Sequence, residues 1–378
     1  MPFIVVIVFI VFTQTLFSYS FYSQNEAIFL AIGNTQLILF VSSIFLMLYF
    51  FRRRNSTNYK AGFYSFGAMI ATGVPPIAFI LPGIFKIISG NQLFFNIGWL
   101  LSSLLLIAIL VGILWGRWNW KVHHVQLDFP NFPIELNSVK IVQLSDIHVG
   151  SFFNNYKKVE KAINKINALN ADYVFFTGDL VNNSAAEMKG WESVFSKIQA
   201  KKGKYSILGN HDYGDYVKWN TDEQKQQNLN DLLAIHQEIG FQPLLNESVE
   251  LASNFWLLGV ENWGKAPFRQ SGELSKTLTN VPNDAFKLLL SHDPSHFDLE
   301  VINTNIDLTL SGHTHGMQFG IERFGIKFSP VSLRYKKWAG LYKVGAQYLY
   351  VNRGFGYLGF PGRVGIYPEI TEITLKFS

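Results

Sequence analysis

Four apolar stretches, at 2–21, 28–51, 62–89 and 93–115, fill the first third of this 378-residue chain and dictate its surroundings. A helix needs about 20 apolar residues to cross the hydrocarbon core of a bilayer, and each stretch has that length. Pro75, Pro76 and Pro82 interrupt the third; a span tolerates such breaks where neighbouring groups satisfy the freed backbone. The first stretch has neither a basic leading region nor a small-residue cleavage site, which argues against a cleaved signal peptide. Charge is divided to match. Residues 1–120 hold six basic side chains (Arg52, Arg53, Arg54, Lys60, Lys86, Arg117) and one acid, Glu26, so the formal +5 belongs to them and the remainder is balanced.

Basic residues orient membrane spans. Arg52, Arg53, Arg54 and Lys60 follow the second stretch, and Arg117 and Lys121 follow the fourth. The first connection has Glu26 and no basic residue; the third has Lys86 nearby. Four spans then predict a multi-pass protein of the inner (cytoplasmic) membrane, with both termini and the rest of the chain cytoplasmic. Trp118 and Trp120 read as interfacial anchors. Apart from Glu26 the spans contain no acid from which to build an ion pathway, which disfavours a transporter. The remainder shows no basic stripe with interleaved aromatics, so no nucleic-acid binding is expected. The absence of cysteine excludes disulfides, thiolate catalysis and Cys-ligated zinc.

From residue 139 the pattern changes. Strands are predicted at 140–144, 173–177, 205–208, 255–260, 286–290, 306–310, 348–352 and 370–377, with helices at 155–168, 187–198 and 224–239. The first of these helices carries Val159, Ile163 and Ile166 on one face. This alternation implies an α/β domain, with βαβ units in its first half and a more β-rich second half. The expected division is 1–120 as transmembrane helices, 121–138 as a linker with a first strand, and 139–378 as the chemical domain.

Polar motifs follow five of the strands. They are Asp146 with His148, Asp179, Asn210 with His211 and Asp212, His292, and His313 with His315. Gly178, Gly209 and Gly312 precede three of them, and glycine removes the side chain that would crowd such a turn. Ligand sites in open α/β sheets lie beyond the carboxyl ends of strands, so motifs spread over about 170 positions can converge on one place. Oxygen and imidazole donors suit hard or borderline divalent metals. No single motif is diagnostic; their conjunction points to a two-metal hydrolytic centre. His123, His124, His236 and His296 lack this framing and are assigned no role.

The order Asp-x-His, Gly-Asp, Gly-Asn-His-Asp, His, Gly-His-x-His resembles the calcineurin-like metallophosphoesterase superfamily over residues 139–378. The ending, Asn352 through Pro361-Gly-Arg363 to Pro368, is similar to its membrane-associated bacterial subfamily. The resemblance implies a β-sandwich flanked by helices. It also implies a first metal held by Asp146, His148 and His315, a second held by Asn210, His292 and His313, and a bridge at Asp179. His211 would act at the substrate phosphate or leaving group, with Asp212 orienting it. Met317 stands where the subfamily usually has a second glycine, and Asn182 where many relatives carry an acid.

Two cations lower the pKa of a water between them and clamp phosphoryl oxygens for in-line attack. The expected reaction is direct hydrolysis of a phosphodiester or pyrophosphate by metal-bridged hydroxide, with Mn, Fe, Zn or Co as the metal pair. A membrane anchor makes a lipid-linked substrate the economical expectation, and the resemblance suggests the UDP-diacylglucosamine type. The alternative is a tethered phosphodiesterase for soluble nucleotide-type diesters. The 355–360 segment, with Arg334, Lys336, Lys337 and Trp338, is expected to form a lipid-facing rim on the bilayer. Oligomeric state is left open.

Overall fold

The computed structural model describes residues 2–24, 27–52 and 59–378, so Glu26, Arg53 and Arg54 lie outside the described residues. The chain divides into two compact units.

The first unit contains α1 (Pro2–Tyr22), α2 (Ala27–Arg52), α3 (Lys60–Gly73), α4 (Ile80–Ser89) and α5 (Gln92–Leu114). Among the described residues three stretches, Ala27–Phe50, Lys60–Ser89 and Gln92–Trp118, are long and apolar enough to cross a membrane. The 21-residue α1 precedes them, so the expected count of about four fits. Proline breaks the third stretch: Pro75 and Pro76 have no N–H for the carbonyls of Ala71 and Thr72, and a 3-10 turn, Pro75–Phe79, separates α3 from α4. Side chains supply donors at Thr72 and Gly73. Gln36 Nε2 donates to Thr72 O at 2.6 Å and to Gln14 Oε1 at 2.8 Å, and Gln14 Nε2 donates to Gly73 O at 3.2 Å. Phe17, Phe21, Phe79 and Phe95 form a buried aromatic cluster. Gly359–Val364 belongs to this unit too, with Arg363 N–H donating to Gly112 O at 3.1 Å.

The second unit runs β1 (Lys121–Phe129), β2 (Ser138–Leu144), α6 (Tyr156–Ala168), β3 (Tyr173–Phe176), α7 (Glu192–Phe195), β4 (Gly203–Ser206) and α8 (Asp222–Glu238). It continues with β5 (Gln242–Pro243), β6 (Glu247–Ala252), β7 (Phe255–Gly259), α9 (Leu274–Thr277), β8 (Phe286–Leu290) and α10 (Ser295–Leu299). Then follow β9 (Leu308–Ser311), β10 (Ile321–Arg323), β11 (Ile326–Phe328), β12 (Gly340–Val344), β13 (Gln347–Val351) and β14 (Glu369–Phe377). One six-stranded sheet has the order β1-β14-β2-β3-β4-β5 and the other β12-β13-β9-β8-β7-β6; β10 and β11 form a separate hairpin. Neighbours β2, β3 and β4 are parallel, as are β7, β8 and β9.

Alternation along the strands explains the sandwich. Ile141, Tyr173 and Phe175 from the first sheet meet Leu257, Leu288 and Leu308 from the second in one buried core. The opposite face of the second sheet buries Leu258 and Leu289 with Phe297 of α10. The α6 face expected from sequence is buried, with Ala162 added to it.

Three expectations are corrected. The 187–198 helix is a 3-10 turn, Ala185–Met188, followed by the short α7. The interruption is Gly190, whose φ of 85° ends the turn. The 355–360 segment does not form an exposed rim: Phe355, Tyr357 and Phe360 are buried, and so is Trp338. Trp120 is buried rather than anchoring at an interface; its ring lies 5.2 Å from that of Phe355 and its Nε1 donates to Phe355 O at 2.9 Å.

Candidate metal centre

The loops leaving β2, β3 and β4 in one sheet and β8 and β9 in the other carry all nine candidate residues. Each loop must turn sharply to aim a side chain inward. Asp146, His148, Asp179, His313 and His315 accordingly sit in the left-handed region, with φ of 52°, 47°, 63°, 70° and 50°. Non-glycine residues there cost about 1–3 kcal/mol each and persist only where the surroundings hold them. Glycine is required beside them. Gly178 has φ 96°, and a Cβ on it would lie 2.4 Å from Gly209 N. A Cβ on Gly312 would lie 1.8 Å from Ser145 Oγ and 2.4 Å from Asp146 Oδ2.

Two overlapping groups bring their donor atoms within 4.8 Å of one another: Asp146, His148 and His315, and Asp146, Asp179 and His292. His315 Nε2 lies 3.2 Å from Asp146 Oδ1, and His292 Nε2 lies 3.2 Å from Asp179 Oδ2. His148 Nε2 lies 3.5 Å from Asp179 Oδ2. The other ring nitrogens of His148 and His292 face backbone carbonyls, which only accept. His148 Nδ1 therefore donates to Val181 O at 3.2 Å and His292 Nδ1 to Thr177 O at 2.7 Å. In neutral His148 this leaves Nε2 a bare lone pair aimed at the cluster; His292 presents one once the Nε2 proton that the carboxylates favour is displaced, as in metal-ligating histidines. His148 Nε2 and His315 Nε2 face each other at 3.1 Å, and the buried His292 Nε2 faces the Asp179 and Asp146 carboxylates.

The electrostatics agree. Burial alone would raise the carboxyl pKa of Asp146 and Asp179, yet the neighbouring His315 and His292 hold them below the usual range. Burial would lower His292, but Asp179 and Asp146 lift it to about 10. His148 goes the other way, burial holding it well below an ordinary histidine. The cluster thus concentrates negative charge and stabilises a cation at its centre. Its donors fit a binuclear metal site.

Asn210 and His313 extend the cluster. His313 Nδ1 lies 2.9 Å from Asn210 Oδ1, and the Asn210 amide donates to Tyr216 OH at 2.7 Å, which fixes the oxygen toward the histidine. His313 N–H donates to Asp146 Oδ1 and Oδ2, both at 3.0 Å, and its Nε2 lies 2.9 Å from Tyr335 OH. His211 is half-buried at the margin, its ring 4.9 Å from that of His148.

Asp212 does not orient His211, contrary to expectation. The Asp212 carboxylate accepts backbone N–H from Asp179, Leu180, Val181 and Gly209 at 2.8–3.3 Å. It ties the Asp179 loop to the Asn210 loop. His211 is oriented by Asn182, whose carbonyl accepts from Nδ1 at 2.6 Å. Tyr216, Tyr335, Asp293 (Oδ2 3.7 Å from His313 Nε2) and the Asn182 carbonyl escaped sequence reasoning. Only Asp293 carried a signal, its adjacency to His292. Of the histidines given no role, buried His236 bonds Ser206 Oγ at 2.9 Å and His296 bonds Ser291 Oγ at 2.8 Å.

Comparison with known proteins follows the same lines. The model for calcineurin-like phosphoesterases matches residues 139–317. A transmembrane protein with metallophosphoesterase domain from Bos taurus is 29% identical over 283 residues, 70% of this chain and 59% of that one. One of the same description from Danio rerio is 28% identical over 271 residues, 68% and 57% of the two chains. The uncharacterized metallophosphoesterase YkuE of Bacillus subtilis is 31% identical over 251 residues, 65% of this chain and 81% of that one. The chain therefore spans less than two thirds of the length of the two vertebrate proteins.

Proposed function

Since this chain belongs to the calcineurin-like metallophosphoesterases, we propose that it is a metal-dependent phosphoesterase whose residues divide the work as follows. Asp146, His148 and His315 would hold one metal, Asn210, His292 and His313 the other, and Asp179 would bridge. The observation that carries this is the approach of His148 Nε2 to His315 Nε2 at 3.1 Å, with the His148 proton committed to a carbonyl. His148 Nε2 therefore offers its lone pair where His315 Nε2 and Asp146 Oδ1 also converge, the disposition a shared cation needs. When bound, the two cations would supply the positive charge that clamps phosphoryl oxygens and activates water. Manganese is the proposed first choice, within an O/N set that also admits Fe, Zn or Co.

The chain's own groups do the rest. Asp179 N–H and Gly209 N–H are pinned by Asp212, which sets the spacing of the two ligand loops. The Asn182 carbonyl holds the Nδ1 proton of His211, so Nε2 is the atom presented outward. In its protonated form that nitrogen donates to the leaving oxygen. His211 is the proposed catalytic acid and Asp212 a positioning residue.

The proposed substrate is a phosphodiester or pyrophosphate on a lipid, with a UDP-diacylglucosamine-type pyrophosphate as the favoured example. The proposed location is an inner membrane, with residues 139–378 as a cytoplasmic catalytic domain after the 1–120 helices and 121–138 linker. The membrane-spanning composition of the first unit supports this reading. The test is turnover of lipid-linked pyrophosphates, glycerophospholipids and nucleotide diesters by the full chain in detergent with Mn. Hydrolysis of a lipid class is expected. Good turnover of nucleotide diesters with none of any lipid would replace the proposal with a soluble substrate.

A further inference from the structure

The β10–β11 hairpin is built inside out. Its register pairs Ile321 with Phe328, Glu322 with Lys327 and Arg323 with Ile326. Strand residues alternate between faces, so Glu322 and Lys327 share one face while Ile321, Phe328, Arg323 and Ile326 share the other. The polar face turns toward the domain. Glu322 Oε2 accepts from Arg353 Nε at 2.7 Å. Lys327 Nζ donates to Ala339 O and lies 5.4 Å from the Trp338 ring and 5.0 Å from the Tyr342 ring. The apolar face turns outward: Ile321, Ile326 and Phe328 are all more than half exposed. At the tip, Phe324 is 89% exposed, and so is Leu333 after the hairpin.

A hairpin on a water-soluble surface has the reverse pattern, apolar inward and polar outward. Register cannot drift to hide this face, because the Glu322–Arg353 and Lys327–Ala339 contacts hold it. Cations flank the outward apolar groups. The Arg323 guanidinium lies 5.1 Å from the Phe324 ring, Arg334 and Lys336 are exposed beside Leu333, and the segment's acid, Glu322, is committed to Arg353. Apolar rings ringed by Arg and Lys are complementary to acyl chains beneath anionic headgroups. The chain itself carries helices of membrane-spanning composition.

We propose that the outward face of the β10–β11 hairpin, with Phe324 at its tip and Leu333 beside it, seats on an anionic lipid surface. The hairpin follows the His313–His315 loop directly, and Tyr335, which contacts His313 Nε2, follows Leu333 and Arg334. The same stretch of chain thus reaches from lipid to metal centre. The surface stands independently of the substrate proposed above, and its test does not read activity.

The chain has no cysteine, so Phe324→Cys and Leu333→Cys each create one labelling site, with Lys201→Cys as an exposed control. The full chain is reconstituted in phosphatidylcholine vesicles with or without phosphatidylglycerol, and each site carries an environment-sensitive fluorophore. Brominated acyl chains are expected to quench the labels at 324 and 333, with blue-shifted emission, more strongly when phosphatidylglycerol is present. The label at 201 should respond to aqueous iodide alone. Equal iodide quenching at all three sites with no bromolipid effect would overturn the proposal. So would label self-quenching that grows with protein density, which would make a second copy the occupant. Full secondary structure in each labelled protein guards against a folding artefact, because these side chains have few contacts to lose.

Discussion

His313 is held at three points: N–H to the Asp146 carboxylate, Nδ1 beside Asn210, and Nε2 against the Tyr335 hydroxyl. Groups that orient a metal ligand typically change affinity or activity about 10–100-fold when removed. Tyr335→Phe is expected to weaken metal occupancy by that factor while leaving the fold intact, read by metal titration with elemental analysis. His148→Ala removes a proposed ligand outright and should abolish turnover together with binding of one metal. Away from the centre, Glu369 is buried between Arg353, at 2.6 Å, and Tyr350 OH, at 2.6 Å. Burial would raise its pKa, but the Arg353 guanidinium outweighs it and holds the carboxyl at about 2, against an ordinary 4.5. A carboxyl depressed in the folded state stabilises the protein above its ordinary pKa, and that stability is lost as pH falls from about 4.5 to about 2. The contribution is on the order of 3 kcal/mol. Glu369→Gln should flatten the acid side of the stability profile in that window, measured by denaturant unfolding against pH. That the seven ligand candidates, His211 and Asp212 would lie together was legible because each motif follows an apolar strand; what Asp212 holds was not. Tyr335, Tyr216 and the Asn182 carbonyl were not, since a hydroxyl arriving from a distant loop and a backbone oxygen leave no spacing to read.

Buried strands announce themselves as short apolar runs, and β8 falls where its run placed it. Shorter pieces do not. The hairpin β10–β11 has three residues per strand, too few for a periodic signal, and its faces are inverted. The sequence also pointed to 355–360 as an exposed rim because glycine-spaced aromatics look like a surface loop. Instead Tyr357 OH donates to Ser151 O and its ring is buried, and Gly356 serves close approach, since a Cβ there would lie 1.9 Å from Ile147 O. At α3 the sequence showed the prolines but not their partner. Gln36 stands in for the missing N–H at Thr72 O, and a carbonyl left bare in an apolar setting costs about 1–3 kcal/mol. Gln36→Leu is expected to lower the unfolding midpoint of the full chain in detergent, with the metal content of the purified protein unchanged. Loss of metal in step with the midpoint would contradict it.

The charge asymmetry and apolar runs were enough to separate a helical unit from an α/β one, because membrane helices and sandwich strands obey different rules of burial. The line between them was not legible in full. Gly359–Val364 groups with the helices although β13 and β14 on either side of it belong to the other unit. No composition shift marks six residues that change company. A fragment beginning at Arg117 would therefore keep Phe360, Pro361 and Val364 without α5, to whose Gly112 carbonyl the same segment is bonded. That fragment is expected to self-associate where the full chain in detergent does not, as read by light scattering. Aspartate at Phe360 and Val364 should relieve it.

The same arrangement changes what the polypeptide can tolerate by way of cutting. The backbone passes from one unit to the other three times, at 116–117, 358–359 and 364–365. A single nick at the first junction would cut the one covalent link between 1–116 and 117–378, so any association that survives a protease acting there would rest on the packing of 359–364 within the helical unit, as through the Arg363 N–H bond to Gly112 O.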